Sequence, residues 1–236
     1  MRKEKKRTGL WIALALLVFA FGAGLFFAFY FGLLPQKTYA AEDFGIERVY
    51  STVDFNGNGT DDYTDFLYGA RADAENHPKY DGRYWEDGYP PDDTGVCTDV
   101  VWRAFRQAGY SLREMVDRDI AARPEAYSHV EKPDKNIDFR RVVNLRVFFE
   151  EYAASLTLDI DAIEEWQPGD IVIFGDDKHI GIVSDKRNRS GQPYILHNGG
   201  QPRREEDYLG RATVTGHYRF DAAQLPPSVP VAFEAP

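Results

Sequence analysis

The longest hydrophobic stretch of the chain lies near its N-terminus. No charged residue occurs in residues 9–34, a run of 26 residues that follows a basic segment. At about 1.5 Å per residue, a helix of this length crosses the roughly 30 Å core of a bilayer. We therefore expect a cytoplasmic basic flank (residues 1–8), an uncleaved transmembrane signal anchor (residues 9–34) and an extracellular C-terminal domain. A secreted form, cleaved at the small residues near Ala40, is the alternative.

The pattern after the anchor is at first helical. Residues 35–50 are interpreted as a tether, and a helix is expected over residues 63–75, ended by His77-Pro78. Apolar residues then recur every three or four positions over residues 98–108 and over residues 143–154, which predicts two further helices. Gly109 ends the first of these two helices.

The C-terminal part changes to a period of two residues, which is typical of strands. This pattern predicts strands over residues 171–174, 179–184, 194–198 and 212–220, with a hairpin turn before His179. A proline-rich tail, residues 223–236, is expected to be loosely held. Helices followed by an antiparallel sheet indicate an α+β fold.

Charge narrows the classes of partner. Without its basic flank and Glu4, the chain keeps 23 basic and 37 acidic residues, a net charge of −14. Such an acidic surface argues against nucleic acid or anionic lipid as the main partner. The chain has one cysteine, which cannot form an internal disulfide.

That cysteine, Cys97, lies where the helix over residues 98–108 begins. Thr98 and Asp99 supply oxygen acceptors for the free N–H groups of its first turn. A thiol at a helix N-terminus has a lowered pKa and a larger nucleophilic thiolate fraction. The alternative is a buried core cysteine that serves only for packing. An aromatic, acidic loop over residues 80–95 leads to it and is expected either to form one wall of a substrate cleft or to cover the core.

An acidic loop over residues 51–66 carries an EF-hand-like spacing. Oxygen-bearing residues and a glycine occupy places 1, 3, 5, 6, 7, 9 and 12 of the loop: Asp54, Asn56, Asn58, Gly59, Thr60, Asp62 and Asp65. Such a spacing wraps a hard cation in oxygen atoms, with the glycine at the bend and the carbonyl of Thr60 as one ligand. We expect structural Ca²⁺, bound weakly because place 12 is Asp rather than Glu. The alternative is a polar turn without metal.

Several motifs together resemble known families. Cys97 heading a helix, Pro168-Gly169-Asp170 before a strand, His179-Ile180-Gly181 opening the next strand and His197-Asn198 ending another resemble the NlpC/P60 papain-like cysteine peptidases. More closely, the segments 95–100, 136–145, 197–200 and 215–219 are similar to the family DUF1287. This closer resemblance covers roughly residues 65–220.

The resemblance implies a papain-like NlpC/P60-type fold over residues 67–222, with a Cys-bearing helix packed on a His-bearing antiparallel sheet. It implies Cys97 as nucleophile, His179 as general base and His197 as the group that orients His179. Asn198, Asp185 and His217 are the alternatives for the orienting group. The main-chain N–H of Cys97 would stabilise an oxyanion.

The function that these expectations support is a membrane-anchored, extracytoplasmic cysteine hydrolase of amide bonds in peptidoglycan stem peptides. It would use a Cys-His acyl-enzyme mechanism and no organic cofactor, and its partners would be cell-wall peptide and, through residues 9–34, the membrane. One alternative is an amidase, deamidase or transacylase that acts on another substrate. The other is a non-catalytic module that binds calcium and cell-wall material.

Overall fold

The computed structural model describes residues 2–30, 34 and 36–234, with side chains from residue 9 onward. The N-terminal helix α1 (Arg2–Tyr30) contains the apolar segment Gly9–Tyr30, 22 residues long with a mean hydropathy of 2.6. This helix is long and apolar enough to cross a membrane, so the expected N-terminal apolar helix is confirmed. Residues 31–33 of the predicted anchor lie outside the described residues.

The remaining described chain alternates helices and strands in an α+β arrangement, as expected. The helices are α2 (Asp62–Asn76), α3 (Cys97–Gln107), α4 (Leu112–Ala122) and α5 (Val142–Tyr152). The strands are β1 (Lys79–Tyr80), β2 (Thr94–Gly95), β3 (Ala154–Ser155), β4 (Ile171–Phe174), β5 (His179–Arg187), β6 (Pro193–Leu196), β7 (Glu205–Glu206) and β8 (Val214–Arg219).

Six strands form one antiparallel sheet in the order β3-β8-β4-β5-β6-β7. Strands β1 and β2 make a separate parallel pair just before α3. Phe174 pairs with His179 across the β4–β5 hairpin. Arg146 on α5 holds the turn of this hairpin, because its guanidinium pairs with Asp177 and donates to the carbonyl and hydroxyl oxygens of Thr215 at 2.8 and 2.9 Å. The start of β5 is thereby fixed.

Alternation along β4 divides the core between the two faces of the sheet. Ile171 and Ile173 join the larger apolar cluster with α2, α3 and α5, whereas Val172 and Phe174 join a smaller cluster around Trp166. Helix α3 is buried along its apolar stripe, and Phe105 on it stacks on Phe66 of α2 with ring centroids 4.6 Å apart. The helical period predicted from the sequence is confirmed here.

Two elements differ from the sequence-based prediction. Helix α5 ends at Tyr152, because Ala154 is already paired in β3, so the predicted end at residue 154 is wrong. Helix α4 was not predicted, although Ser111 caps it by accepting from the N–H of Glu114 at 3.4 Å. Ser and Glu at this spacing form the capping-box pattern, which would have indicated the helix.

The predicted tether and the tail that was expected to be loosely held both contact the domain. In the tether, Tyr39 donates its N–H to the carbonyl of Arg187 at 2.9 Å, and Ile46 is 8 % exposed. In the tail, the carbonyl of Val231 accepts from Ser111 at 2.8 Å and the N–H of Phe233 donates to Gly109 at 2.7 Å. These bonds join the described parts of both segments to the domain, so residues 37–50 are not a free linker.

Candidate active site

Cys97 is the first residue of α3, and its side chain faces strand β5. It is 7 % exposed, and burial raises its thiol pKa from 9.0 to about 11. The main-chain N–H groups of Ile180 and Thr98 act in the opposite direction, but their effect is smaller. The expectation of a lowered thiol pKa is therefore wrong for this structure, because desolvation of the thiolate exceeds the stabilisation at the helix start.

A buried ion pair fixes the first turn of α3. Asp99 accepts the N–H of Val96 at 2.7 Å and the indole N–H of Trp102 at 2.7 Å. It also accepts hydrogen bonds from Nε and Nη2 of Arg140 at 2.8 and 3.0 Å. Arg140 in turn donates to the carbonyl of Arg83 at 3.1 Å. Asp99 thus joins the cysteine-bearing helix to the 136–145 segment and to the aromatic loop.

His179 and His197 lie together, as the sequence predicts. Nε2 of His179 is 2.7 Å from Nδ1 of His197. Burial, and then the neighbouring His197, lower the pKa of His179 to about 3, and burial lowers the pKa of His197. Both imidazoles are therefore neutral near pH 7. His179 precedes Ile180, whose N–H is directed at the thiol of Cys97, so His179 begins the strand that faces the cysteine, and His197 follows the neighbouring strand β6.

Strand β5 needs a glycine at position 181 because strand β6 passes very close to it. A Cβ at this position would lie 2.7 Å from Cγ2 of Ile195, 2.8 Å from the carbonyl oxygen of Leu196 and 3.1 Å from Cβ of His197. Strands β5 and β6 therefore approach more closely than a side chain allows. This close approach brings the two histidines within hydrogen-bond distance.

Glu206 is a residue of this cluster that the sequence analysis missed. Its Oε1 lies 3.2 Å from Nε2 of His197, and its Oε2 lies 2.7 Å from Nη1 of Arg211. Tyr208 packs on the same imidazole, with ring centroids 4.3 Å apart. Glu206 belongs to a strand of two residues, too short to show a period, so no sequence pattern pointed to it.

The three alternatives to His197 are engaged elsewhere. Asn198 donates to the carbonyl of Gly95 at 3.0 Å, and Asp185 pairs with Arg71 at 2.5 Å. His217 lies against Asp170 at 3.0 Å and stacks on Trp166, with ring centroids 3.7 Å apart. Of the candidates, the structure places His197 beside His179.

Comparison with known proteins identifies the family. The family model for DUF1287, described as a domain of unknown function, matches residues 67–220. The chain belongs to the DUF1287 family. It is also 37 % identical over 162 residues to the uncharacterized protein YijF of Escherichia coli (strain K12), an alignment that covers 64 % of this chain and 78 % of that relative. No solved structure matches the chain. The expected DUF1287 membership is confirmed, whereas the NlpC/P60 likeness stays an expectation.

The aromatic loop of the DUF1287 domain has one residue that covers the core and another that is exposed near the thiol. Tyr89 packs on Trp102 and Phe139, with ring centroids 4.8 and 5.6 Å apart, and so covers the core. Tyr80 is 53 % exposed, and its pKa is raised by burial and then by its nearness to Cys97. Tyr80 is therefore an exposed residue of this loop that lies close to the thiol.

The side chains of the acidic loop before the domain bond to one another and to the main chain. Asp54 accepts the N–H of Gly59 at 2.8 Å, and Asp65 accepts the amides of Asn56 and Asn58, each at 2.9 Å. Asp62 instead accepts the hydroxyl of Tyr110 at 2.5 Å, and burial raises its pKa to about 6. Among the described residues, no group of three or more His, Cys, Asp and Glu side chains converges.

The amide N–H groups of Asn56 and Asn58 are directed at Asp65, and a carboxylate oxygen of Asp62 is directed away from the loop, at Tyr110. The loop bends at Gly57 and Gly59, whose φ values are +69° and +89°. Calcium binding stays a prediction with this smaller ligand set, to which the carbonyl of Thr60 would add.

Proposed function

We propose that this DUF1287 chain is a membrane-anchored, extracytoplasmic cysteine hydrolase that cleaves amide bonds in peptidoglycan stem peptides. Cys97 would be the nucleophile, His179 the base and His197 the orienting group, in a papain-like arrangement similar to that of NlpC/P60 peptidases. The helix α1 would anchor the chain in the cell membrane with its basic end in the cytoplasm.

The contact between His179 and His197 is the observation that carries this proposal. Two neutral imidazoles are joined at 2.7 Å, and one of them, His179, begins the strand whose next N–H, that of Ile180, is directed at the only thiol of the chain. A core that only packs around Cys97 does not require two buried imidazoles nearby, because the desolvation of such rings is costly. A base held in one orientation is what thiol catalysis needs.

The chemistry would start from a neutral thiol. As the sulfur attacks the substrate carbonyl carbon, the thiol proton passes to His179. The oxyanion that forms accepts a hydrogen bond from the main-chain N–H of Cys97 at the helix start. The imidazolium then gives its proton to the departing amine, which leaves a thioester on Cys97. Water, deprotonated by His179, hydrolyses this thioester, releases the carboxylate product and restores the thiol.

Two alternatives keep the same site. An amidase, deamidase or transacylase would use the same residues on another acyl group. A non-catalytic module that binds calcium and cell-wall material is favoured by one observation, the burial of Cys97 with its raised pKa. The loop around Asp54 and Asp65 would serve either function as a structural calcium site.

Muropeptide cleavage by the full chain tests the proposal. The protein is purified in detergent, incubated with muropeptides and analysed by mass spectrometry. We expect a new stem-peptide product from the wild type and from His129→Ala, which changes an exposed histidine away from the cluster. No product is expected from Cys97→Ala or His179→Ala. A Cys97→Ala protein that keeps the wild-type rate would refute the proposal, whereas sacculus binding without turnover would indicate the module.

A further inference from the structure

The histidine pair continues into a third buried group, the carboxylate of Glu206. This residue is 6 % exposed, with Oε1 3.2 Å from Nε2 of His197 and Oε2 held by Arg211 at 2.7 Å. An ionised carboxylate can only accept hydrogen bonds, so the proton of this contact lies on Nε2 of His197. A neutral imidazole carries one N–H, which leaves Nδ1 of His197 as an acceptor.

The same reasoning then determines the tautomer of His179. Because Nδ1 of His197 accepts, the 2.7 Å contact is donated by Nε2–H of His179. Nδ1 of His179 is left without a proton and is the ring atom able to accept one. The pKa of each imidazole is lowered by burial, which keeps both rings in the neutral state that this chain of single protons requires.

We propose that Glu206 is a positioning residue that sets the tautomers of both histidines, and thereby makes Nδ1 of His179 the atom that receives the proton of Cys97. The inference rests on the proposed function for its catalytic meaning, but the tautomers can be observed without turnover. When His179 becomes an imidazolium during acylation, the Glu206 carboxylate also stabilises that charge through His197. Glu206 itself touches neither substrate nor thiol in this scheme.

The neighbouring Glu205 provides a matched control. Successive residues of a strand point to opposite faces, and Glu205 pairs with Arg71 at 2.7 Å and with Lys186 at 2.5 Å. Glu205→Gln therefore removes a charge from the same strand, with a side chain that is 13 % exposed against 7 % for Glu206, without touching either histidine. Glu206→Gln keeps the shape but offers an amide N–H to Nε2 of His197. That reverses both tautomers and leaves Nδ1 of His179 protonated.

The experiment observes the imidazole nitrogens by NMR in the full, ¹⁵N-histidine-labelled chain in detergent micelles near pH 7.5. The chain has five histidines, which single substitutions assign. We expect Nε2–H tautomers at His179 and His197 in the wild type and in Glu205→Gln, and Nδ1–H tautomers at both in Glu206→Gln. Turnover by Glu206→Gln should fall about 10- to 1,000-fold in kcat, less than when a carboxylate touches the base directly. Glu206→Asp should restore part of it.

The outcomes separate this inference from the proposed function. Wild-type tautomers retained in Glu206→Gln, or an Nδ1–H tautomer at His179 in the wild type, would overturn the role of Glu206 whether or not the chain is an enzyme. Turnover that survives Cys97→Ala would instead refute the function and leave the tautomer result standing. Equal losses of kcat in Glu205→Gln and Glu206→Gln would also overturn the inference, because they would indicate general damage to β7.

Discussion

At the scale of single residues, burial decides the protonation state of Cys97. The helix N-terminus favours a thiolate by about 0.3–1 kcal/mol. A rise in pKa from 9.0 to about 11 corresponds to about 3 kcal/mol against the thiolate, so desolvation exceeds the helix effect. The resting site therefore holds a neutral thiol beside neutral imidazoles. Under the proposed function, the substrate carbonyl would make transfer of the thiol proton favourable.

This protonation state predicts a specific pH dependence for alkylation of Cys97. Only the thiolate reacts, so the iodoacetamide rate of the folded full chain should rise about tenfold per pH unit from pH 7 to about pH 10. The chain has no other cysteine, so mass spectrometry of the labelled protein follows this thiol alone. The urea-unfolded chain serves as control and should level off near pH 8.5. A plateau below pH 7 in the folded protein would indicate a thiolate–imidazolium pair instead.

At the scale of elements, the hydrophobic periods of the sequence predicted most of the longer helices and strands but not the contacts between them. The apolar stripe of α3 and the period of two in β4 and β5 placed these elements to within a few residues, because each period is decided by neighbours along the chain. The pairing of Asp99 with Arg140 joins residues 41 positions apart, and Glu206 reaches His197 through sheet register. Such contacts depend on tertiary packing, so the sequence identified the two histidines but neither of these partners.

The Asp99–Arg140 pair leads to a prediction about stability. Both side chains are 1 % exposed, so Arg140→Ala would leave an uncompensated buried carboxylate at the start of α3. Breaking such a pair costs about 3–5 kcal/mol. Urea unfolding of the full chain should show this loss. Arg141→Ala, in which the replaced side chain is 48 % exposed, should change stability by less than about 0.5 kcal/mol. Equal small effects from both variants would mean that the ion pair contributes little.

At the scale of the whole molecule, the acidic loop joins separate parts of the chain. The amide of Asn56 donates to the carbonyl of Gln107 at 2.8 Å, where α3 ends, and Phe55 stacks on Tyr110 with ring centroids 4.1 Å apart. The loop leads directly into α2, which packs on α3. A cation held by Asp54 and Asp65 would therefore brace the helix that begins at Cys97, from its far end. The net charge of −14 beyond the flank would also favour cations in general, so a test must separate a site from screening.

Calcium should raise the melting temperature of the chelated full chain. With Asp at place 12, we expect affinity in the range of extracellular modules, about 10⁻⁴–10⁻³ M. At ten times the dissociation constant, the stabilisation is about 1.4 kcal/mol, or roughly 3–6 °C. Asp54→Ala combined with Asp65→Ala should abolish this rise. Glu125→Ala combined with Glu131→Ala, which removes two exposed acids elsewhere, should keep it. Equal shifts with Mg²⁺, or in both double variants, would show that the cation only screens charge and that the loop is a turn.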